Sequence, residues 1–186
     1  MSSFYSEQEL KEIGFKSLGE NVLISKKTSI YGASNMSIGN NVRIDDFSLL
    51  SGNITIGNNV HIAAYVSLFA GDAGIELGNY VGVSSRSVIY ATTDDYSGEY
   101  LTNPTVPDKY KNVINGKVTM GEHSLIGTGC TVLPGVTVGD GVSVGAMSLI
   151  NKDLDEWSIY VGIPCKRIKD RSKRVLELAE EYEKEQ

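Results

Sequence analysis

The chain is poor in the residues that would build a metal centre or a disulfide framework. Its 186 residues include two cysteines, two histidines and one tryptophan. Cys130 and Cys165 lie far apart with no paired spacing, which excludes the usual zinc patterns and a disulfide-stapled scaffold. They read as small buried residues in a reducing compartment. Four prolines and the absence of any run near the roughly 20 apolar residues of a membrane helix exclude a proline-rich linker protein and a helical span. Met1 to Gly14 is polar and offers no signal-peptide core, so the expected location is cytoplasmic. The formal net charge of −6 argues against nucleic acid as a main partner and leaves room for a local basic pocket.

Glycine is plentiful, and its placement is regular. The chain carries 20 glycines. Leu18-Gly19-Glu20-Asn21-Val22-Leu23 is followed by Ile38-Gly39-Asn40-Asn41-Val42-Arg43 and Ile56-Gly57-Asn58-Asn59-Val60-His61. Leu77 to Gly82, Met120 to Leu125 and Val138 to Ser143 repeat the motif. Further sextets, such as Ile44 to Leu49, Ile126 to Thr131 and Val132 to Thr137, lie in phase between them. The steps from Ile38 to Ile56 and from Met120 to Val138 are three sextets each. Three short strands per turn predict an all-β solenoid, a left-handed parallel β-helix. The aliphatic first residue points inward, and Gly or Asn turns the corners. A sandwich would show period-two strands with turns every 8–12 residues, not this beat.

Two segments interrupt the repeat. Ala91 to Lys117 is too long to be a corner and reads as a functional excursion loop. Ala70 to Gly74 reads as an irregular corner around Asp72. The division is then 1–14, an N-terminal helical segment; 15–168, the β-helix with loop 91–117; and 169–186, a C-terminal helix. Ser6-Glu7-Gln8-Glu9 is a capping box opening a helix to about Ile13. Asp170 to Glu185 has Val175, Leu178 and Tyr182 on one face at helical spacing, a docking stripe.

The late repeats are the most specific part. They read Ile126-Gly127-Thr128-Gly129, Leu133-Pro134-Gly135, Val144-Gly145-Ala146, Asn151-Lys152-Asp153 and Gly162-Ile163-Pro164-Cys165-Lys166-Arg167. From Leu18 to Arg167 the chain resembles the hexapeptide-repeat acyltransferases of the galactoside/maltose O-acetyltransferase type and of surface-polysaccharide pathways. The resemblance implies acetyl-CoA as co-substrate, no metal, and a homotrimer with active sites between subunits. It implies a CoA groove along Gly127 and Ala146, with Lys152, Lys166 and Arg167 near the phosphates. Phosphate recognition by Lys and Arg is generic, and coil corners need glycine in any case.

The family's loop histidine is missing; Asp94 stands in its place. His61 ends its sextet, points outward and falls on an acceptor-side position of the family. It is the expected general base, supported by Asp94, unless it is a surface or subunit-contact residue. Asp72, Asp95 and Tyr96 are expected on the substrate. Asp94 and Asp95 read equally as a local Asx turn. His123, at a later corner, either touches the thioester region or is solvated. The expected activity is acetyl transfer from acetyl-CoA to a sugar hydroxyl in glycan biosynthesis. N-acetylation of a nucleotide-linked amino sugar is the close alternative, and a non-catalytic scaffold the alternative of another class. γ-Carbonic anhydrases share this fold, but two histidines per chain are too few for their zinc site.

Overall fold

The computed structural model describes residues 3–185. Residues 1–2 and 186, at the tips of the expected terminal segments, lie outside the described residues. The chain coils into a left-handed β-helix with three flat faces. On the first face Ile38, Ile56, Leu77, Met120 and Val138 sit in parallel register. On the second, Leu23–Ile24, Arg43–Ile44, His61–Ile62, Gly82–Val83, Leu125–Ile126 and Ser143–Val144 stack in order. The third face carries Ser29–Tyr31, Leu49–Ser51, Ser67–Phe69, Val88–Tyr90, Thr131–Val132 and Leu149–Ile150.

Alternation along each strand sorts the side chains. Ile24, Ile44, Ile62, Val83, Ile126 and Val144 point inward and are buried. Their neighbours Arg43 and His61 point out. Each coil buries its apolar column against the next, so no coil would be stable alone.

Side-chain carbonyls stitch the corner between the first and second faces. Backbone N–H groups of Glu20, Asn40 and Asn58 donate to Oδ1 of Asn40, Asn58 and Asn79, each at 2.8 Å. Glu122 N donates to Asp140 Oδ1 at 2.8 Å. These partners satisfy corner amides that strand pairing leaves over. They also record the coil lengths, with offsets of 20, 18, 21 and 18 residues, and 43 between Asn79 and Glu122. The longest offset contains the 91–117 excursion. The offset of 21 contains the irregular corner at Asp72. The offset of 20 reveals a third interruption, the short turn Ala33–Asn35, which the six-residue beat did not show.

Corners are not made by Gly and Asn alone. Asn41 and Asn59 hold φ of 55° and 57°, but Tyr80, His123 and Trp157 adopt the same left-handed form lower on that corner. The N-terminal helix α1, Glu7–Ile13, has Ser6 as N-cap with both bonds of the capping box. The C-terminal helix starts later than its composition suggests. Ser158–Gly162 and Cys165–Asp170 first form an antiparallel hairpin across the end of the second face. Arg171 then donates to the carbonyls of His123, Gly141 and Val142, which holds the chain extended until helix α2, Arg174–Lys184. Arg171 is thus spent on backbone carbonyls. Among the described residues no helix is long and apolar enough to cross a membrane.

Candidate functional site

His61 lies on the outer surface of the second face, one coil below Arg43. Its Nε2 stands 2.8 Å from Asp45 Oδ2, and Arg43 Nε is 2.7 Å from Asp45 Oδ1. Burial pushes the Asp45 carboxyl up, but hydrogen bonds from His61 and Arg43 and their charges outweigh it and hold it below its ordinary range. The three side chains line an open cavity of about 760 Å³ that Tyr80 and Tyr182 also border. The expected support of His61 by Asp94 is not found within the chain, because the orienting carboxylate is Asp45. The coil period placed Arg43 above His61, and period-two alternation put Asp45 outward beside them, so this partner was readable from sequence.

Asp94 belongs to an antiparallel hairpin, Thr92–Asp94 with Val113–Asn115, which springs from the corner between the third and first faces. The adjacent acids divide into two roles. Asp95 accepts from Ser97 N at 2.7 Å, from Ser97 Oγ and from Asn112 Nδ2 at 2.8 Å. The bonds from Ser97 and Asn112 hold its carboxyl below the ordinary range. Asp95 therefore builds the turn. Asp94 is half-buried, and its carboxylate has no hydrogen-bond or ion-pair partner among the described residues. Tyr96 is 87% exposed. Asp72 is exposed on the preceding coil, next to Gly71, which packs against Thr92 at the root of the hairpin. The structure thus gathers Asp72, Asp94, Asp95 and Tyr96 at one corner and leaves His61 on another face.

The late coils carry the expected CoA residues. Gly127 and Ala146 stack on the corner between the second and third faces; a Cβ on Gly127 would lie 2.6 Å from Ala146 N. Lys152 and Lys166 are exposed without an ion pair among the described residues. Arg167 donates from Nε to Ser158 Oγ at 2.9 Å and pairs with Asp170. His123 stacks on Tyr80, with ring centroids 4.8 Å apart and planes 6° apart, and tilts toward Trp157 at 6.5 Å. Its ring is a rung in an aromatic column. Ser84, which the repeat pattern did not single out, sits half-buried on the Gly127 corner two coils above Ala146.

Residues 35–70 and 117–152 match the family model described as bacterial transferase hexapeptide (six repeats). A dTDP-4-amino-4,6-dideoxy-D-glucose acyltransferase of Escherichia coli is 46% identical over 95% of this chain and 93% of its own length. Crystal structures of AntD, an N-acyltransferase from Bacillus cereus, match 100% of this chain and 98–100% of their own at 52–53% identity. The D94A variant with dTDP and coenzyme A has a TM-score of 0.98. Others hold an S84C variant with dTDP-4-amino-4,6-dideoxyglucose and coenzyme A, and AntD with dTDP and 3-hydroxybutyryl-CoA. Positions 84 and 94 of the present chain are also Ser and Asp. A maltose O-acetyltransferase from Clostridium difficile, 21% identical with a TM-score of 0.53 over 89% of this chain, shares the fold. On the repeat, the fold and these full-length likenesses, the chain belongs to the acyltransferases of the hexapeptide-repeat transferase family.

Proposed function

We propose that the protein transfers an acyl group from acyl-CoA to the amine of a dTDP-linked 4-amino-4,6-dideoxyhexose. One observation carries this: full-length likeness at 52% identity to an N-acyltransferase crystallised with dTDP, that amino sugar and coenzyme A. It favours the N-acyl alternative over transfer to a sugar hydroxyl. The chemistry agrees. A hydroxyl needs a strong base at the moment of attack, and this chain lacks the family's loop histidine. An amine needs only to lose one proton, and a half-buried, unpartnered carboxylate at Asp94 is suited to bind the ammonium and accept it.

The neutral amine then attacks the thioester carbonyl. The C–N bond forms and the C–S bond breaks; the nitrogen gives up its second proton, which the departing CoA thiolate takes, and Asp94 returns the first to solvent. Of the groups expected to act as base, Asp94 is the best supported. His61 lies on another face from the Asp94 corner, and the His123 ring is engaged in stacking. Ser84 and Asp94 flank opposite edges of the third face, at different corners of the prism. A site between two subunits would bring both to one amine, which agrees with a homotrimer with composite sites. CoA would run along the Gly127–Ala146 corner, with Lys152 and Lys166 free for its phosphates.

The test is thiol release from acetyl-CoA and from 3-hydroxybutyryl-CoA with the dTDP amino sugar, then with dTDP-glucose. Release with the amine alone, and a product mass increased by the acyl group, is the expected result. Release with the hydroxyl sugar alone would return the O-acetyl reading.

A further inference from the structure

The two glycine-poor corners of the early coils are built from different residues. In the coils of Arg43 and His61 the first corner uses Asn41 and Asn59 in the left-handed conformation, which Asn tolerates. In those same coils the second corner, the one that carries Ser84, uses Phe47 and Tyr65, with φ of 60° and 63°. Bulky side chains are disfavoured there, so folding alone does not call for them. Where aromatic residues occupy the first corner they are covered: Tyr80 bonds Glu183, His123 stacks on Tyr80, and Lys173 lies over Trp157. On the second corner Phe47 and Tyr65 are 49% and 52% exposed, with the Lys27 ammonium, 5.1 Å from the ring centroid, over the outer face of Phe47. Their rings stack on each other with centroids 5.0 Å apart.

The next rung of that corner is Arg86, also left-handed at φ 62°, exposed, and without an ion pair among the described residues. Its backbone N–H bonds Ala64 O, and Tyr65 N bonds Asp46 O, so Phe47, Tyr65 and Arg86 follow one another down one edge. Neighbouring rungs are about 4.8 Å apart. Ser84 lies two residues before Arg86 on the same rung. The order down the edge is therefore the aromatic pair, then Arg86 and Ser84 side by side on the next rung.

We propose that Phe47 and Tyr65 form the base-stacking platform, and Arg86 the diphosphate anchor, for the nucleotide half of the acceptor. This rests on the reading of the acceptor as a dTDP sugar. Stacked rings suit a flat pyrimidine of any hydrogen-bonding pattern. An unpaired guanidinium forks onto phosphate oxygens. The deoxyribose bridges base to phosphate over about one rung. The sugar then falls beside Ser84, which Asp94 of a neighbouring subunit approaches from the other side.

Calorimetry of the full-length protein with dTDP, thymidine and CoA tests the placement. Tyr65→Asn is the informative variant, because Asn59 already occupies the matching position on the other corner and the fold is retained. It should weaken dTDP and thymidine binding about tenfold. CoA affinity and the mass by light scattering should stay unchanged. Tyr65→Phe should keep wild-type affinity. Arg86→Gln should weaken dTDP while leaving thymidine unchanged. Wild-type protein without affinity for dTDP would overturn the function on which the platform rests. Wild-type protein that binds dTDP, with Tyr65→Asn and Arg86→Gln binding equally well, would overturn the platform alone. So would a loss of affinity that accompanies dissociation of the assembly, which would make the corner a subunit contact.

Discussion

His61 and Arg43 share one carboxylate: Nε2 of His61 is 2.8 Å from one oxygen of Asp45, and Nε of Arg43 is 2.7 Å from the other. This pair, not a contact with the excursion loop, fixes the imidazole. Asp94, by contrast, has no side-chain partner among the described residues.

Asp94→Asn should lower kcat/KM for the amino sugar about a hundredfold, the lower end of what a general base contributes. CoA affinity should hold. His61→Ala should change the rate by no more than a few fold. Steady-state kinetics across pH decides between them. A His61→Ala enzyme crippled at every pH, beside an active Asp94→Asn enzyme, reverses the assignment.

The repeat was legible because each sextet restates it. Once Ile38, Ile56, Met120 and Val138 are aligned, the inward column and the three-strand turn follow. The 91–117 excursion and the Asp72 corner were readable as losses of phase. The two-residue excess near Ala33 was not, because the next sextet resumes with an ordinary aliphatic residue. The roles of Asp94 and Asp95 could not be separated in sequence. Adjacent acids in a loop differ only in which one the turn engages, and that depends on Ser97 and Asn112 folding back onto Asp95. Ser84 was missed because a small residue at a corner is what packing alone requires.

The free cations of the late coils carry a prediction about the cofactor. Lys152→Glu together with Lys166→Glu should weaken CoA binding about tenfold or more, since each charge-assisted contact is lost and replaced by repulsion. Arg167→Gln should matter less for CoA, because its guanidinium is engaged with Ser158 and Asp170. Calorimetry with CoA and with dephospho-CoA separates the phosphates. Unchanged affinity in the double variant moves the cofactor off this edge.

Ser124 is a flaw in the inner column. The fifth place of the other sextets on this corner is valine, at Val22, Val42, Val60, Val81 and Val142, all buried. Ser124 is also buried, and its hydroxyl has no hydrogen-bond partner among the described residues. Ser124→Val should raise stability by about 1–2 kcal/mol, by adding apolar burial and removing an unsatisfied hydroxyl. Urea unfolding with an unchanged m-value would show it; a loss of stability would mean the column is already full.

Gly52 and Gly14 both have positive φ, 94° and 79°, but only one is hemmed in. A Cβ on Gly52 would lie 2.5 Å from Gly71 N and O, whereas nothing stands within 4 Å of one on Gly14. Gly14→Ala should cost about 1 kcal/mol, the backbone strain alone. Gly52→Ala should cost several times that, because two coils must separate to admit the methyl group. Equal losses in thermal melts would refute the close stacking at that corner.

Tyr80 gives a test at alkaline pH. Its hydroxyl donates to Glu183 Oε1 at 2.7 Å and ties helix α2 to the aromatic column. Burial and that hydrogen bond push the phenol up to about 12, against 10 for a free tyrosine. The folded pKa lies above the unfolded one, so docking stability from this group is full below pH 10. As pH rises further the undocked phenol ionises first, and the contribution falls until it is lost above about 12. The single tryptophan, Trp157, sits in the same column and reports the event by fluorescence. Wild-type emission should change over that window together with phenolate absorbance. In Tyr80→Phe the helix should be looser at neutral pH, and this part of the alkaline transition should be absent. Glu183→Gln should move the Tyr80 titration back toward 10, because the neighbouring negative charge is gone. A Tyr80 midpoint already at 10 in the wild type would mean that α2 is not held through this bond.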